Sequence, residues 1–423
     1  MRKYLILTLL MVFVAVAGSG LLTAQDKTVS VLATWGGAEE EAFLKMVEPF
    51  EQKTGIKVLF EGTRDLPTIL TTRIEAGNPP DVVQLTGLGL LEDVVKRNAA
   101  VDLSSVLDMN TFRREYAESW IDLGSYEGIL YGIYMSADIK SLIWYNPKEF
   151  AQRGYEIPAT WDELTALSDR MAADGITPWS IGLESDAASG WPGTDWIEDI
   201  MLRTAGPEFY DKWVAHEIPW TAPEVKRAFE LFGKIACDPK YVYGGTTNTL
   251  TMNFGDAANP LFTDPPRAFL HRQASFITSF IREQHPDLIA GEDYNFFPFP
   301  PIDPQWGNPM MGGADIMIMC NDTPEAGELI NYLSSAEAQE IFVSELGKLG
   351  VNHKINPDAY PDDLTRSMAE ALHEAPVFRF DGSDSMPGAV GSGAFWEGIL
   401  NYVSGESLDD VLAYIEAAAR ETY

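Results

Sequence analysis

Residues 131–150 read YGIYMSADIKSLIWYNPKEF. The run opens with alternating polar positions and becomes a short apolar strand at 141–145. It breaks at Asn146 and Pro147, where proline lacks the N–H that a central ladder requires. On each side lies a segment with its own strand–helix pattern. The stretch therefore reads as a crossover between two α/β lobes, and the cleft it spans as the place to look for function.

N-terminal to the crossover, KTVSVLATW (27–35) predicts a buried strand ending at Trp35. Phe43, Leu44, Met46, Val47 and Phe50 follow at helical spacing. Glu39, Glu40 and Glu41 suit the positive end of that helix, and Gly55 ends it. A second strand is expected at 56–60. Asp65 and Pro67 then start a helix closing near Gly77, and a third strand follows at 81–85. This alternation implies a mainly parallel sheet flanked by helices, with right-handed crossovers.

C-terminal to the crossover the pattern restarts. Thr160 with Glu163, Thr221 with Glu224 and Ser334 with Glu337 are spaced as capping boxes. Strands are expected at 176–182, 267–271 and 314–320, and an extended second passage at 294–300. The tail from Asp362 reads as mostly helical, broken by FDGSDSMPGAVGSG (380–393). Two such lobes form a hinged clamp whose ligands sit at the carboxyl ends of the strands. The candidate contacts therefore lie in the loops 35–39, 61–65, 84–87, 185–196, 272–274 and 312–315.

Composition narrows the ligand. Lys and Arg number 30 against 63 Asp and Glu, a formal charge of −33. That sign argues against nucleic acid and against anionic membrane surfaces, and leaves neutral or cationic ligands. Arg2 and Lys3, the apolar run 5–17 and the small residues around Ala24 make residues 1–24 a secretory signal peptide, too short for a bilayer span. No cysteine near the cleavage region offers a lipid attachment point, so a free periplasmic protein is expected. Cys237 and Cys320 are the two cysteines. In an oxidising compartment they either pair or remain separate buried thiols.

Several of the loops combine aromatic rings with carboxylates or amides. Trp35 stands near Glu39, Arg64 beside Asp65, and Trp191 and Trp196 flank Asp195; Trp396 follows a loop holding Asp381 and Asp384. A sugar requires this mixture, because its C–H face packs on a ring while each hydroxyl both donates and accepts hydrogen bonds. Each residue also has a commoner structural role. A tryptophan is more often core, Glu39–Glu41 a solvated helical turn, Asp65 an N-cap, Arg272 an ion-pair partner, and Asp381 and Asp384 turn formers. The functional reading rests on their convergence. There is no phosphate-binding loop, dinucleotide fingerprint, zinc-protease motif or nucleophile elbow, and the five histidines lack metal-ligand spacing. No catalytic residue, metal or cofactor is expected. Two alternatives stay open. One is a secreted glycoside hydrolase, disfavoured because a barrel would show eight strand–helix repeats without a restart after Asn146. The other is a binding protein for a non-sugar solute such as a polyamine.

Taken together, TVSVLATWGGAEEEAFLKMVEPFEQKTGIKV (28–58), PPDVVQL (79–85), the crossover, PATWDELTALSDRM (158–171), SGWPGTDWIEDI (189–200), PPRAFLHRQASFI (265–277) and MGGADIMIM (311–319) carry a resemblance. The chain resembles the extracytoplasmic solute-binding proteins of carbohydrate ABC transporters, in the maltose-binding-protein-like family. The resemblance implies the two-lobe periplasmic-binding-protein fold. Lobe 1 would comprise 25–136 and 310–360 and lobe 2 would comprise 137–309 and 361–423, with hinge segments near 136–142, 300–312 and 350–362. It implies a monomer that captures a mono- or oligosaccharide and delivers it to ABC transporter permease subunits in the inner membrane. By position, Trp35, Glu39, Asp65 and Gln84 would line the first lobe's edge, and Trp191, Asp195, Arg272 and Gln273 the second. Gly312, Gly313 and Asp315 would lie near the returning crossover, and Asp381, Asp384 and Trp396 in the C-terminal part. The chain departs from many relatives at Gln273-Ala274-Ser275, where they carry a glycine.

Overall fold

A computed structural model of the chain describes residues 27–374 and 377–423. The expected signal segment, 1–24, lies outside them. The strands are β1 (Thr28–Ala33), β2 (Lys57–Gly62), β3 (Val82–Leu85), β4 (Ser125–Tyr126), β5 (Ile129–Leu130), β6 (Gly132–Ile139), β7 (Leu142–Tyr145), β8 (Leu270–Arg272), β9 (Asn295–Pro298), β10 (Met310–Met319), β11 (Leu349–Gly350) and β12 (Phe378–Phe380). A seven-stranded sheet runs β11-β6-β10-β3-β1-β2, with β12 also on β10; a smaller sheet runs β8-β7-β9, and β4 pairs β5.

The N-terminal strands behave as their pattern dictates. Helix Ala38–Thr54 follows β1 and ends at Gly55, whose φ of 73° is left-handed. β1 pairs in parallel with both β2 and β3. The remaining pairings are mostly antiparallel. β10 runs against β3 and β6, and both pairs of the small sheet are antiparallel. The reason is the crossover: β6 leads out of the first lobe and β10 leads back beside it.

Local differences have local causes. Residues 176–182 form no strand; Trp179 alone bridges Val242 and Leu270, next to Pro178, which has no N–H to give. Thr160 caps its helix as expected, accepting from Glu163 N at 3.2 Å. Helix Pro223–Ala236 instead has Ala222 at its N-cap, so Thr221 lies one residue outside. Ser335, not Ser334, caps Ala336–Glu345. Asp65 holds the N-cap position of Leu66–Glu75 without a side-chain capping bond. The stretch around Trp191 is the helix Trp191–Thr204 rather than a loop. The first sheet's core gathers Val31, Phe43, Val83, Ile133 and Ile316. The second core gathers Trp179, Trp196, Phe229, Phe395 and Ile415. Cys320 packs against the first and Cys237 against the second, and both are free thiols.

Three passes of chain between the sheets run side by side. Lys140 N donates to Met311 O at 2.8 Å, Met311 N donates to Ser141 Oγ at 2.9 Å, and Asp381 N donates to Gly312 O at 2.8 Å. A Cβ on Gly312 would stand 2.5 Å from the Asp138 carbonyl oxygen, so this spacing requires glycine. The third pass lies at Asp381, because β12 returns to the first sheet, inside the 361–423 segment expected to belong wholly to the second lobe.

A buried ionic network fixes the passes to the second core. Asp195, Asp199 and Arg203 are spaced by four on one face of helix Trp191–Thr204. Arg272, at the end of β8, donates to Asp195 at 3.0 Å and pairs with Asp199, which also holds Arg203 at 2.8 Å. Asp199 further accepts from Ser141 Oγ in the first pass. Removing one member strands its partners without solvent. Arg272→Met is therefore expected to lower unfolding stability by about 3–5 kcal/mol in urea titration; a loss below about 1 kcal/mol would show the network to be dispensable.

Candidate ligand-binding cleft

The principal cavity holds about 1110 Å³ of empty space, counting the part open to solvent. Its first wall is built from the segments following three parallel strands: Thr34, Trp35 and Glu39 after β1, Arg64, Leu66 and Pro67 after β2, and Thr86, Gly87 and Leu90 after β3. That is where carboxyl-end loops place a site. Ala188, Trp191, Phe254 and Phe276 form the opposite wall. The floor is the passes themselves, with Asp138, Lys140, Gly313, Asp315, Lys348 and Asp381, and segment 383–396 closes one end with Ser383, Asp384, Met386, Ser392 and Trp396.

Of the residues singled out from sequence, Trp35, Glu39, Arg64, Trp191, Gly313, Asp315, Asp381, Asp384 and Trp396 line this cavity. Asp65, Gln84, Asp195, Arg272 and Gln273 do not. Asp65 turns away at the helix start while Arg64 and Leu66 face in. Gln84 stands behind Asp315, donating to it at 2.9 Å and accepting from Thr34 N and Oγ1 at 2.9 Å. Asp195 and Arg272 are spent on the ionic network. Gln273 folds back on the Ala274 N–H at 2.9 Å, and Phe276 reaches the cavity from the same segment. Trp196 is core, edge-on to Trp179 at 5.1 Å. Sequence reasoning missed Lys140, Lys348, Asp138, Phe254 and Phe276. Lys140 lay within the crossover as a charge in an apolar run, which is a legible signal; Lys348 and the two phenylalanines carried none.

Two buried lysines organise the floor. Lys348 Nζ sits 2.5 Å from Asp315, 3.4 Å from Glu39 and 3.5 Å from Asp138. Lys140 Nζ sits 3.1 Å from Asp195 and 3.9 Å from Asp384, and donates to Asp381. Burial alone would push each ammonium's pKa down, but the surrounding carboxylates outweigh it and hold both well above the usual lysine range. Asp195, Glu198 and Asp381 bring oxygens within 4.8 Å of one another, and Lys140 supplies positive charge to that cluster. The cations also face rings. Lys140 Nζ is 5.5 Å from the Trp191 centroid, Lys348 Nζ 5.9 Å from Phe276, and the Arg64 guanidinium 5.0 Å from Phe254.

The three tryptophans differ. Trp35 is 2% exposed; its Nε1 donates to Asp315 at 3.3 Å and its ring packs on Phe43 and Phe342. Only part of it faces the cavity. Trp191 is half-buried, braced by Phe254 at 5.2 Å. Trp396 is half-buried, and its Nε1 has no hydrogen-bond partner among the described residues.

Carboxylates outnumber cations here, and burial sets their titration. Burial raises Asp138 to about 6 against the pull of Lys348, and raises Asp195 to about 7 against Lys140 and Arg272. Asp381 is held down at about 2, where Lys140 overcomes the effect of burial. The sign follows from proton linkage. Between the unfolded carboxylate value near 3.9 and these raised values, the folded state binds more protons, so this contribution is largest below about pH 4 and fades by about pH 7. The Asp381 contribution runs the other way, present above about pH 4 and lost as pH falls through about 2. Melting of wild type against Asp138→Asn is the check. Wild type is expected to lose stability relative to the variant between pH 5 and pH 7.5, values bracketing the raised pKa (~6) of Asp138; parallel curves would contradict the assignment.

With this geometry in view, comparison with known proteins is specific. The family profile described as bacterial extracellular solute-binding protein matches residues 36–340. The chain is 42% identical over 408 residues to the osmoprotective compounds-binding protein GgtB of Synechocystis sp., covering 96% of each. It is 38% identical over 402 residues to the alpha-glucosides-binding periplasmic protein AglE of Rhizobium meliloti, covering 93% of this chain and 87% of that one. Its fold is similar to that of a solved chitin oligosaccharide binding protein, with a TM-score of 0.81 at 19% identity, over 94% of this chain and 99% of that chain. The two-lobe α/β architecture, the walls after β1, β2 and β3, and these full-length relationships agree: the chain belongs to the bacterial extracellular solute-binding protein family.

Proposed function

We propose that the chain is a periplasmic receptor that closes on a neutral sugar, of the α-glucoside class, and hands it unaltered to an ABC importer in the inner membrane. The observation that carries this reading is the cavity wall. Aromatic faces from both sides meet polar groups whose charges are already paired: Arg64 with Glu39 at 3.4 Å, Lys348 with Asp315, and Lys140 with Asp381. Such a surface offers hydrogen bonds and ring faces without asking the ligand for a counter-charge. A polyamine would have to displace the lysines. Carboxylates held by lysine also favour binding over turnover. The name of one relative, for alpha-glucosides, supports the sugar class. We place the hinge at the passes near Lys140, Gly312 and Asp381, with the first sheet as one lobe and the small sheet with helix Trp191–Thr204 as the other. The sugar biases closure by touching both.

Calorimetric titration with maltose, trehalose and sucrose is expected to show micromolar or tighter binding of at least one, about 8 kcal/mol or more of binding free energy. A folded protein that binds none of them, or that prefers spermidine, would sink the proposal.

Trp191→Ala separates binding from folding. It is expected to weaken sugar binding more than about tenfold, some 1.4 kcal/mol, with little change in melting. Trp35→Ala is expected to cost about 3–5 kcal/mol of stability, because that ring is core on most sides. Equal losses of affinity and stability in Trp191→Ala would make Trp191 a core residue too.

A further inference from the structure

We propose that a groove on the far side of Trp396 is an outer glycosyl subsite, so that the protein takes glucosides of three or more units, with the outer ring lying past Trp396. This rests on the sugar reading above and extends it. The groove holds about 790 Å³ of empty space, again counting the part open to solvent. It is not a separate feature of the surface: Trp396 and Ser392 line both it and the cleft. The two adjoin along a π-helix, Ala389–Phe395, with sequence AVGSGAF, whose Ser392 lines both. Five of its seven residues are Ala, Gly or Ser, so side chains add little bulk where they meet, and π-turns of this kind collect at functional sites.

The chemistry of the groove repeats that of the cleft. Trp396 contributes ring surface, while its indole nitrogen is buried. Tyr414, 43% exposed, contributes a second ring. Asp186 and Glu397 contribute carboxylates; neither forms a salt bridge among the described residues, and Glu397 accepts from the Tyr414 hydroxyl at 2.5 Å. Carboxylates without a counter-charge among the described residues, beside ring surface, suit sugar hydroxyls. In the cleft the acceptors are held by lysines and the ring faces are largely enclosed. Here they are open, as an outer unit projecting from a closed clamp requires.

The test compares ligand length. Full-length protein is titrated calorimetrically with disaccharides (maltose, trehalose, sucrose) and trisaccharides (maltotriose, panose). Two groove-filling variants are titrated alongside: Ala187→Trp from one wall and Ala389→Trp from the other. Both positions are exposed and absent from the cleft lining, and melting curves verify that each variant is folded. A trisaccharide is expected to bind wild type about fivefold or more tighter than the best disaccharide, roughly 1 kcal/mol. In the variants that ratio is expected to fall to about one. Equal affinities in wild type overturn the outer subsite, as does a ratio that survives in both folded variants, and either result leaves the sugar reading standing. Failure of every sugar to bind removes both.

Discussion

Everything in this molecule that matters to the cleft depends on burying one ammonium group where the chain changes lobes. Lys140 lies in the first pass between the sheets. Desolvating its charge costs several kcal/mol, which only well-placed counter-charges and hydrogen bonds offset. Those counter-charges come from distant chain: Asp195 on a helix some fifty residues on, and Asp381 and Asp384 after the third pass. To satisfy the lysine, the fold must bring those segments together. The ionic contact therefore fixes the passes against each other and against the second core, and the same amine lines the floor of the cavity. Fold closure and site construction are one event here.

Lys348 repeats the arrangement on the first-sheet side with Asp315, Glu39 and Asp138. Asp315 is held further by Gln84, Trp35 Nε1 and Ser136. A carboxylate with that many partners does not swing to meet a ligand. The floor is thus set before anything binds, and a neutral guest meets fixed dipoles rather than groups that must first be ordered, which lowers the cost of association.

The parts of this arrangement that sequence made legible are those where a local signal and the final role coincide. β1, β2 and β3 are periodic and end in loops, so Trp35, Glu39 and Arg64 were accessible to inspection and do line the cavity. Asp195 and Arg272 were not distinguishable from ligand contacts, because a polar residue on a helix or strand end looks alike whether it faces a core network or a cavity. Which it faces is decided by a partner more than seventy residues away. β12 was illegible for a related reason. Three residues, Phe378–Phe380, carry too short a pattern, and their pairing with β10 is wholly non-local. Lys140 is the instructive case. Its charge, two residues after Asp138, leads straight into the apolar run 142–145 and is expensive to bury unless paired, a signal for converging carboxylates that the sequence reading left unused.

The same accounting bears on how the clamp moves. The network of Asp195, Asp199, Arg203 and Arg272 sits within the second body, and the Lys348 cluster draws Glu39, Asp138 and Asp315 from the first sheet and the adjoining segments. On the proposed hinge, rotation near Lys140, Gly312 and Asp381 would leave the ion pairs of both networks intact, while the Ser141–Asp199 bond ties the first pass to the second body. Contacts across the mouth include Arg64 over Phe254 and the close approach of Gly87 to the Asp384 backbone, and the proposed opening would release them. At Gly87 any Cβ would collide with the Asp384 carbonyl, about 2.1 Å away, so approach of the two sides to this distance depends on its being glycine. A cation–ring contact of this exposure contributes about 0.5–1 kcal/mol. That is too little to hold the mouth shut alone, but enough that a guest bridging Trp191 and the first wall tips the balance.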